Sequence, residues 1–150
     1  MKKKVLVTYN MFREGFSELE SRYEVTFPDG DADFAYDEVL EMIPGYDALC
    51  PMFNFPVDKE LMDRGAKLQI IANYAVGYNN IDIAYAQEKG FTVANTPGPT
   101  TDPTANIALA LILDTARRVS ECDRKLRALG TRMNIGVLEN LGMRVTGATL

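Results

Sequence analysis

Short β-rich apolar runs alternate with helical stretches along most of this chain, and that alternation restricts its fold more than any other feature. Val5-Leu6-Val7-Thr8 reads as a first strand. From Phe12 to Arg22 the pattern turns helical, with Phe12, Phe16 and Leu19 on one face and Glu14, Glu18 and Glu20 largely outside it. Tyr23 to Phe27 is a second strand, closed by Pro28-Asp29-Gly30, and Phe34, Val39, Leu40 and Ile43 mark a second helix ended by Pro44-Gly45. Asp47 to Cys50 is a third strand and Val57 to Arg64 a third helix ended by Gly65. Leu68 to Ala72, Ile81 to Lys89 and Phe91 to Ala94 give strand, helix and strand again, with Gly90 as the stop. This order predicts βαβ units, right-handed crossovers and a parallel sheet with helices on both faces.

Beyond residue 100 the pattern changes. Asp102-Pro103 offers an N-cap with proline at the first helical position, where its missing N–H costs nothing. Ile107 to Leu113 is apolar almost all round, which predicts burial on more than one side. Past Asp114 the pattern becomes amphipathic as far as Gly130, so one helix of about 25 residues, some 38 Å long, is expected. Thr131 to Leu150 has no period and is punctuated by Gly136, Gly142 and Gly147.

Composition removes several kinds of function. Histidine is absent, which removes the usual general base near neutral pH and the commonest metal ligand. Cys50 and Cys122 fit no metal or redox spacing and read as plain thiols. No apolar stretch reaches the roughly 20 residues of a membrane span. After the basic Met1-Lys2-Lys3-Lys4 the apolar run is only Val5-Leu6-Val7, too short for a signal peptide, so a cytoplasmic protein is expected. The net charge of -5 divides unevenly: residues 115–150 hold 7 Lys+Arg against 3 Asp+Glu. Five of those cations, Arg117, Arg118, Arg124, Lys125 and Arg127, sit late in a helical stretch beside Glu121 and Asp123, and they read as a solvated helix end rather than a nucleic-acid surface.

Three segments follow strand ends, the edge of an open α/β sheet where ligands bind. Asn73 to Asp82 links the fourth strand to a helix. There Gly77 permits a sharp turn and leaves its N–H uncovered, and successive free N–H groups near a helix N-terminus suit a carboxylate or phosphate. The plainer alternative is a βα loop in which Asn79 or Asn80 caps the helix. Asn95 to Thr104 opens the next helix and could present Thr104 to an anion, or be a stiff turn with capping. Pro51 to Phe55 could wall an apolar pocket or lie on the core.

Four segments occur together in order and spacing: Ala72 to Asp82 (ANYAVGYNNID), Val93 to Gly98 (VANTPG), Thr101 to Asn106 (TDPTAN) and Thr115 to Arg118 (TARR). Together they resemble the D-isomer-specific 2-hydroxyacid dehydrogenases, above all the glyoxylate/hydroxypyruvate reductase and D-lactate dehydrogenase-like members. The likeness is strong from about Tyr46 to Leu150 and weaker before. It implies an NAD- or NADP-dependent enzyme acting on a small 2-oxoacid or 2-hydroxyacid, with homo-oligomers expected. Residues 1–100 would form a flavodoxin-like substrate-binding domain on a five-stranded parallel sheet. Residues 101–130 would form a long interdomain helix, and 131–150 a tail leading into a Rossmann domain. In that family the N–H groups at the positions of Val76 and Gly77 hold the substrate carboxylate. Val76 and Thr104 match positions that approach the dinucleotide, and Met52 and Phe53 match the wall of the substrate pocket. Asn106 departs from the Asp or Glu usual there and receives no role. The family's GxGxxG turn and its catalytic arginine, glutamate and histidine belong beyond residue 150. No residue of these 150 is therefore nominated as catalytic, and the chain alone is expected to be inactive and to bind NAD(P) weakly.

Two other classes fit the pattern less well. A free-standing flavodoxin-like binding or regulatory domain would want a hydroxyl- and glycine-rich loop where Thr8-Tyr9-Asn10-Met11-Phe12 stands, or, for a phosphoreceiver, acids where Asn10 and Pro51 stand. A self-associating interaction module would rest on the long helix. An apolar surface at Ile107–Leu113 or Ile135–Leu141 is expected to be left open.

Overall fold

Five strands form where the alternation places them: β1 (Lys4–Val7), β2 (Glu24–Thr26), β3 (Ala48–Cys50), β4 (Ile70–Ala72) and β5 (Thr92–Ala94). All neighbouring pairs are parallel, in the order β2-β1-β3-β4-β5. This is the doubly wound order whose direction reverses between β1 and β3. A computed structural model describes residues 2–130 and 136–149. The chain divides into two compact units, residues 1–98 and 99–150.

In the first unit the register puts Leu6, Leu49, Ile71 and Val93 in one row across the sheet. That row packs against α2 (Tyr36–Met42), α3 (Lys59–Arg64) and α4 (Ile83–Lys89), which contribute Val39, Leu61 and Ala86 to the core. Val7 and Cys50 point the other way, toward Tyr9, Phe27 and Phe16. The second face is covered on the β2–β1 side only: Ile70, Thr92 and Ala94 are exposed. Its cover is short because the helix expected from Phe12 is a 3₁₀ turn at Arg13–Phe16 followed by α1 (Ser17–Arg22). Phe12 lies outside it in extended backbone and is exposed, while Phe16 meets Phe27 edge-on at 5.1 Å. The tighter 3₁₀ phase separates side chains that an α-helix would align.

Helix ends in this unit have clear causes. Asp58 accepts the Leu61 N–H and Asp82 the Tyr85 N–H, while Gly90 takes the left-handed conformation (φ 80°) that stops α4.

The second unit departs from the sequence reading in three places. The expected single helix to Gly130 is two, α5 (Thr101–Arg117) and α6 (Val119–Leu129), broken at Arg118 in left-handed backbone (φ 56°). The break has competing partners: Asp114 accepts from the Ser120 N–H at 2.7 Å and its hydroxyl at 2.8 Å, and the Ala116 carbonyl accepts from the Met143 N–H at 2.7 Å. Asp102 is not the N-cap. The helix starts after Thr100, so Asp102 and Pro103 lie in the first turn, where proline still sacrifices no helical bond. Ile107, Leu109, Leu111 and Leu113 are all exposed, against the burial that their all-round apolar pattern predicts but in line with the open apolar surface also expected there. Residues 136–149 form neither helix nor strand, and the part of the expected apolar run at Ile135 lies outside the described residues.

Candidate functional site

The segment Asn73–Asp82 leaves the C-terminal end of β4, and its backbone is pinned carbonyl by carbonyl. The Ala75 carbonyl accepts from the Thr96 N–H at 2.8 Å, the Val76 carbonyl from Asn95 Nδ2 at 2.8 Å and the Gly77 carbonyl from Asn73 Nδ2 at 2.9 Å. In a trans peptide C=O and N–H point in opposite directions. Three consecutive carbonyls drawn to these anchors therefore turn the N–H groups of Val76, Gly77 and Tyr78 away from them. None of the three donates to an acceptor among the described residues, and all three residues are exposed. Consecutive outward N–H groups are the basic element of a backbone anion site.

Two sequence readings of this loop change. Gly77 is not in the left-handed region, and a Cβ there would meet nothing within 4 Å; its contribution is the open space above the N–H, not a special turn. The helix N-terminus is not the anion site either. The Asp82 carboxylate caps the seven-residue α4 by accepting the Tyr85 N–H and places a negative charge at that helix end, so an anion is better met by the loop's own donors. Asn80 and Asn79 do not cap α4. Asn80 instead donates through Nδ2 to the Met52 carbonyl at 3.2 Å, the Phe55 carbonyl at 3.0 Å and Asn73 Oδ1 at 3.1 Å.

Those bonds bring Met52 and Phe53 to the same sheet edge as Val76 and Gly77. Met52 also pairs with Tyr74 in an isolated parallel bridge, and the Tyr74 N–H donates to the Pro51 carbonyl at 2.8 Å. Met52 is half-buried, packed against the cluster of Val7, Tyr9 and Phe27, whereas Phe53 is exposed. Below them Tyr9 stacks on Tyr74 with ring centroids 5.3 Å apart, its hydroxyl 3.5 Å from the Cys50 sulfur. Burial, reinforced by that thiol, pushes the Tyr9 phenol far above its ordinary value, and burial raises the Cys50 thiol. Both stay neutral near pH 7, so neither supplies charge to the loop. Met52 and Phe55 also border a cavity of about 250 Å³ shared with Thr8, Tyr9 and Asn54.

Thr104 belongs to the second unit. It sits in the first turn of α5, its N–H bonded to the Thr100 carbonyl at 3.0 Å and its side chain exposed. Among the described residues no group of three His, Cys, Asp or Glu could hold a metal ion, and no helix is long and apolar enough to cross a membrane. The sequence reading missed Asn73 and Asn95 as the side chains that fix the loop, and Tyr78 as a third donor. One signal was available: Asn73 is a polar residue directly continuing an apolar strand, where only a residue with internal partners can be buried.

With this geometry in place the relatives are informative. The profile of the D-isomer specific 2-hydroxyacid dehydrogenase catalytic domain matches residues 5–149, and the chain belongs to that family. The family consists of NAD(P)-dependent oxidoreductases of 2-hydroxyacids. Glyoxylate reductase of Korarchaeum cryptofilum is 37% identical over 150 residues, covering all of this chain and 45% of that protein. A solved structure from Thermus thermophilus superposes with a TM-score of 0.82 at 34% identity, over 93% of this chain and 45% of its own. The NADPH-dependent glyoxylate/hydroxypyruvate reductase of Sinorhizobium meliloti, solved with NADP and malonate, does so with a TM-score of 0.66 at 25% identity, over 85% of this chain and 39% of its own. The chain spans less than half the length of each of these.

Proposed function

We propose that this chain supplies the carboxylate-holding side of the active site in an NAD- or NADP-dependent 2-hydroxyacid dehydrogenase. The observation that carries the reading is the fan of three N–H groups at Val76, Gly77 and Tyr78, fixed from behind by Asn73, Asn95 and Thr96. A planar carboxylate accepts from adjacent donors of this kind without any cation in the loop. The substrate is a small 2-oxoacid or 2-hydroxyacid, with Met52 and Phe53 walling its other side. Val76 and Thr104 approach the dinucleotide, which when bound supplies the hydride.

Holding the carboxylate fixes the carbon that receives the hydride, a contribution of position rather than of proton transfer. The 150 residues contain no histidine, the usual acid or base for such a step near neutral pH. The chain by itself therefore binds carboxylate and does not turn over. The test is to titrate the ¹⁵N-labelled chain with malonate, chosen as a dicarboxylate that cannot react. The amide resonances of Val76, Gly77 and Tyr78 should move together and saturate. Shifts confined to other regions would overturn the assignment. A parallel assay of glyoxylate with NADH or NADPH should give no turnover, and measurable turnover would overturn the claim of inactivity alone.

A further inference from the structure

Asn73 and Asn80 form a reciprocal amide pair: each Nδ2 donates to the other's Oδ1 at 3.1 Å. The second hydrogen of Asn73 goes to the Gly77 carbonyl at 2.9 Å. The second hydrogen of Asn80 faces two acceptors, the carbonyls of Phe55 at 3.0 Å and Met52 at 3.2 Å. An amide nitrogen has two hydrogens, so this last bond is shared and every amide hydrogen of the pair is committed. The result is an unbroken hydrogen-bonded chain from the Gly77 carbonyl through Asn73 and Asn80 to the backbone of the loop after β3. The backbone adds a clip of its own, with the Val57 N–H donating to the Asn80 carbonyl at 2.7 Å.

We infer that Asn80 is a positioning residue that couples the carboxylate-holding loop to the pocket wall at Met52–Phe55. The inference rests on the carboxylate reading above. The Gly77 carbonyl and the Tyr78 N–H belong to one peptide group. An anion on that N–H polarises the carbonyl, which strengthens its bond from Asn73, and hydrogen bonds in series strengthen one another. Asn80 is the member of this series that reaches the wall, and its shared hydrogen lets the wall redistribute between two carbonyls. An anion bound at Val76–Tyr78 thereby tightens the segment that meets the rest of the substrate.

The malonate titration of the ¹⁵N-labelled chain tests this when it is read at both loops and repeated with Asn80→Ala. In the native chain the amides of Phe53, Asn54 and Phe55 should shift in step with those of Val76, Gly77 and Tyr78. In Asn80→Ala malonate should bind about fivefold more weakly, the effect expected of losing one hydrogen bond's worth of alignment, and the response at Phe53–Phe55 should vanish. Thermal melting is read separately, because a residue that only fastens the loop would lower the melting temperature and leave both readouts unchanged. A folded Asn80→Ala chain with native malonate affinity, or with the response at Phe53–Phe55 intact, overturns the coupling. If Asn80→Ala does not fold, Asn80→Ser, whose hydroxyl still donates to one carbonyl, is judged by the same criteria. A native chain whose Val76–Tyr78 amides ignore malonate overturns the carboxylate reading and the coupling together, whereas native binding that Asn80 does not affect overturns the coupling alone.

Discussion

At the scale of single residues, the loop after β4 separates two kinds of contribution that look alike in the sequence. Asn73 is almost fully buried and both of its amide hydrogens are used. Replacing it by alanine leaves the Gly77 carbonyl and one side of Asn80 without a partner. Buried groups stripped of partners in this way cost about 1–3 kcal/mol. Asn73→Ala should therefore lower the unfolding free energy by about 2 kcal/mol in urea titrations. Gly77 is the opposite case. Its backbone is outside the left-handed region and a Cβ would meet no atom within 4 Å, so Gly77→Ala should change stability by no more than about 0.5 kcal/mol. The added methyl sits over the N–H, however, and malonate binding should fall. A large stability loss in Gly77→Ala, or none in Asn73→Ala, would contradict the account of how this loop is held.

Elements were legible in the sequence to the extent that their causes were local. The strands were readable because Val5-Leu6-Val7 and Ile70-Ile71-Ala72 are apolar runs bounded by turn residues, and Gly90 announced its stop because only glycine enters left-handed backbone cheaply. The anchoring of the Val76 and Gly77 carbonyls was not readable, because Asn95 and Asn73 reach them from a neighbouring strand end and from within the loop. The break at Arg118 was hidden for the same reason. Beside the local Asp114–Ser120 bonds it depends on the segment Leu141–Met143, which lies against the helix end so closely that a Cβ on Gly142 would come within 2.7 Å of the Ala116 carbonyl. Gly142→Ala must push that segment away, and circular dichroism should show lower helix content and an earlier melt, whereas an unchanged melt would remove Gly142 from the account. The first turn of α6 also titrates. Arg118 and then Lys125 hold the Glu121 carboxylate at about 2, below its ordinary 4.5. A depressed carboxylate stabilises the fold above its unfolded value and loses that contribution as pH falls toward the folded one. Helix content of the native chain should therefore decline between pH 4.5 and about 2, and Glu121→Gln should flatten the decline in that window. An identical acid profile in the variant would show that the pair contributes nothing.

At the scale of the whole chain, the two units differ in how well each buries its own apolar surface. The first has a closed core of Leu6, Val39, Leu49, Leu61 and Ile71, each with no exposed surface. Among the described residues of the second unit only Ala116 is buried. Ile107, Leu109, Leu111 and Leu113 are more than half exposed along α5, and Val137 and Leu138 more so beyond it. A unit of this size cannot assemble a stable core from one alanine, and a contiguous exposed apolar run on a helix marks a surface that associates. Burying such side chains yields roughly 25 cal/mol for each Å² removed from water, so a second copy of the same helix is a sufficient partner at high concentration. Sedimentation velocity on the 150-residue chain should therefore show association that rises with concentration. The double substitution Ile107→Lys and Leu111→Lys places two charges one turn apart on α5 and should shift the population to monomer, with the first unit's core and the Val76–Tyr78 amide response left intact. A native chain that stays monomeric at high concentration would mean that residues 136–149 cover α5 in solution. Monomerisation accompanied by loss of the amide response would mean instead that association is needed to hold the carboxylate loop.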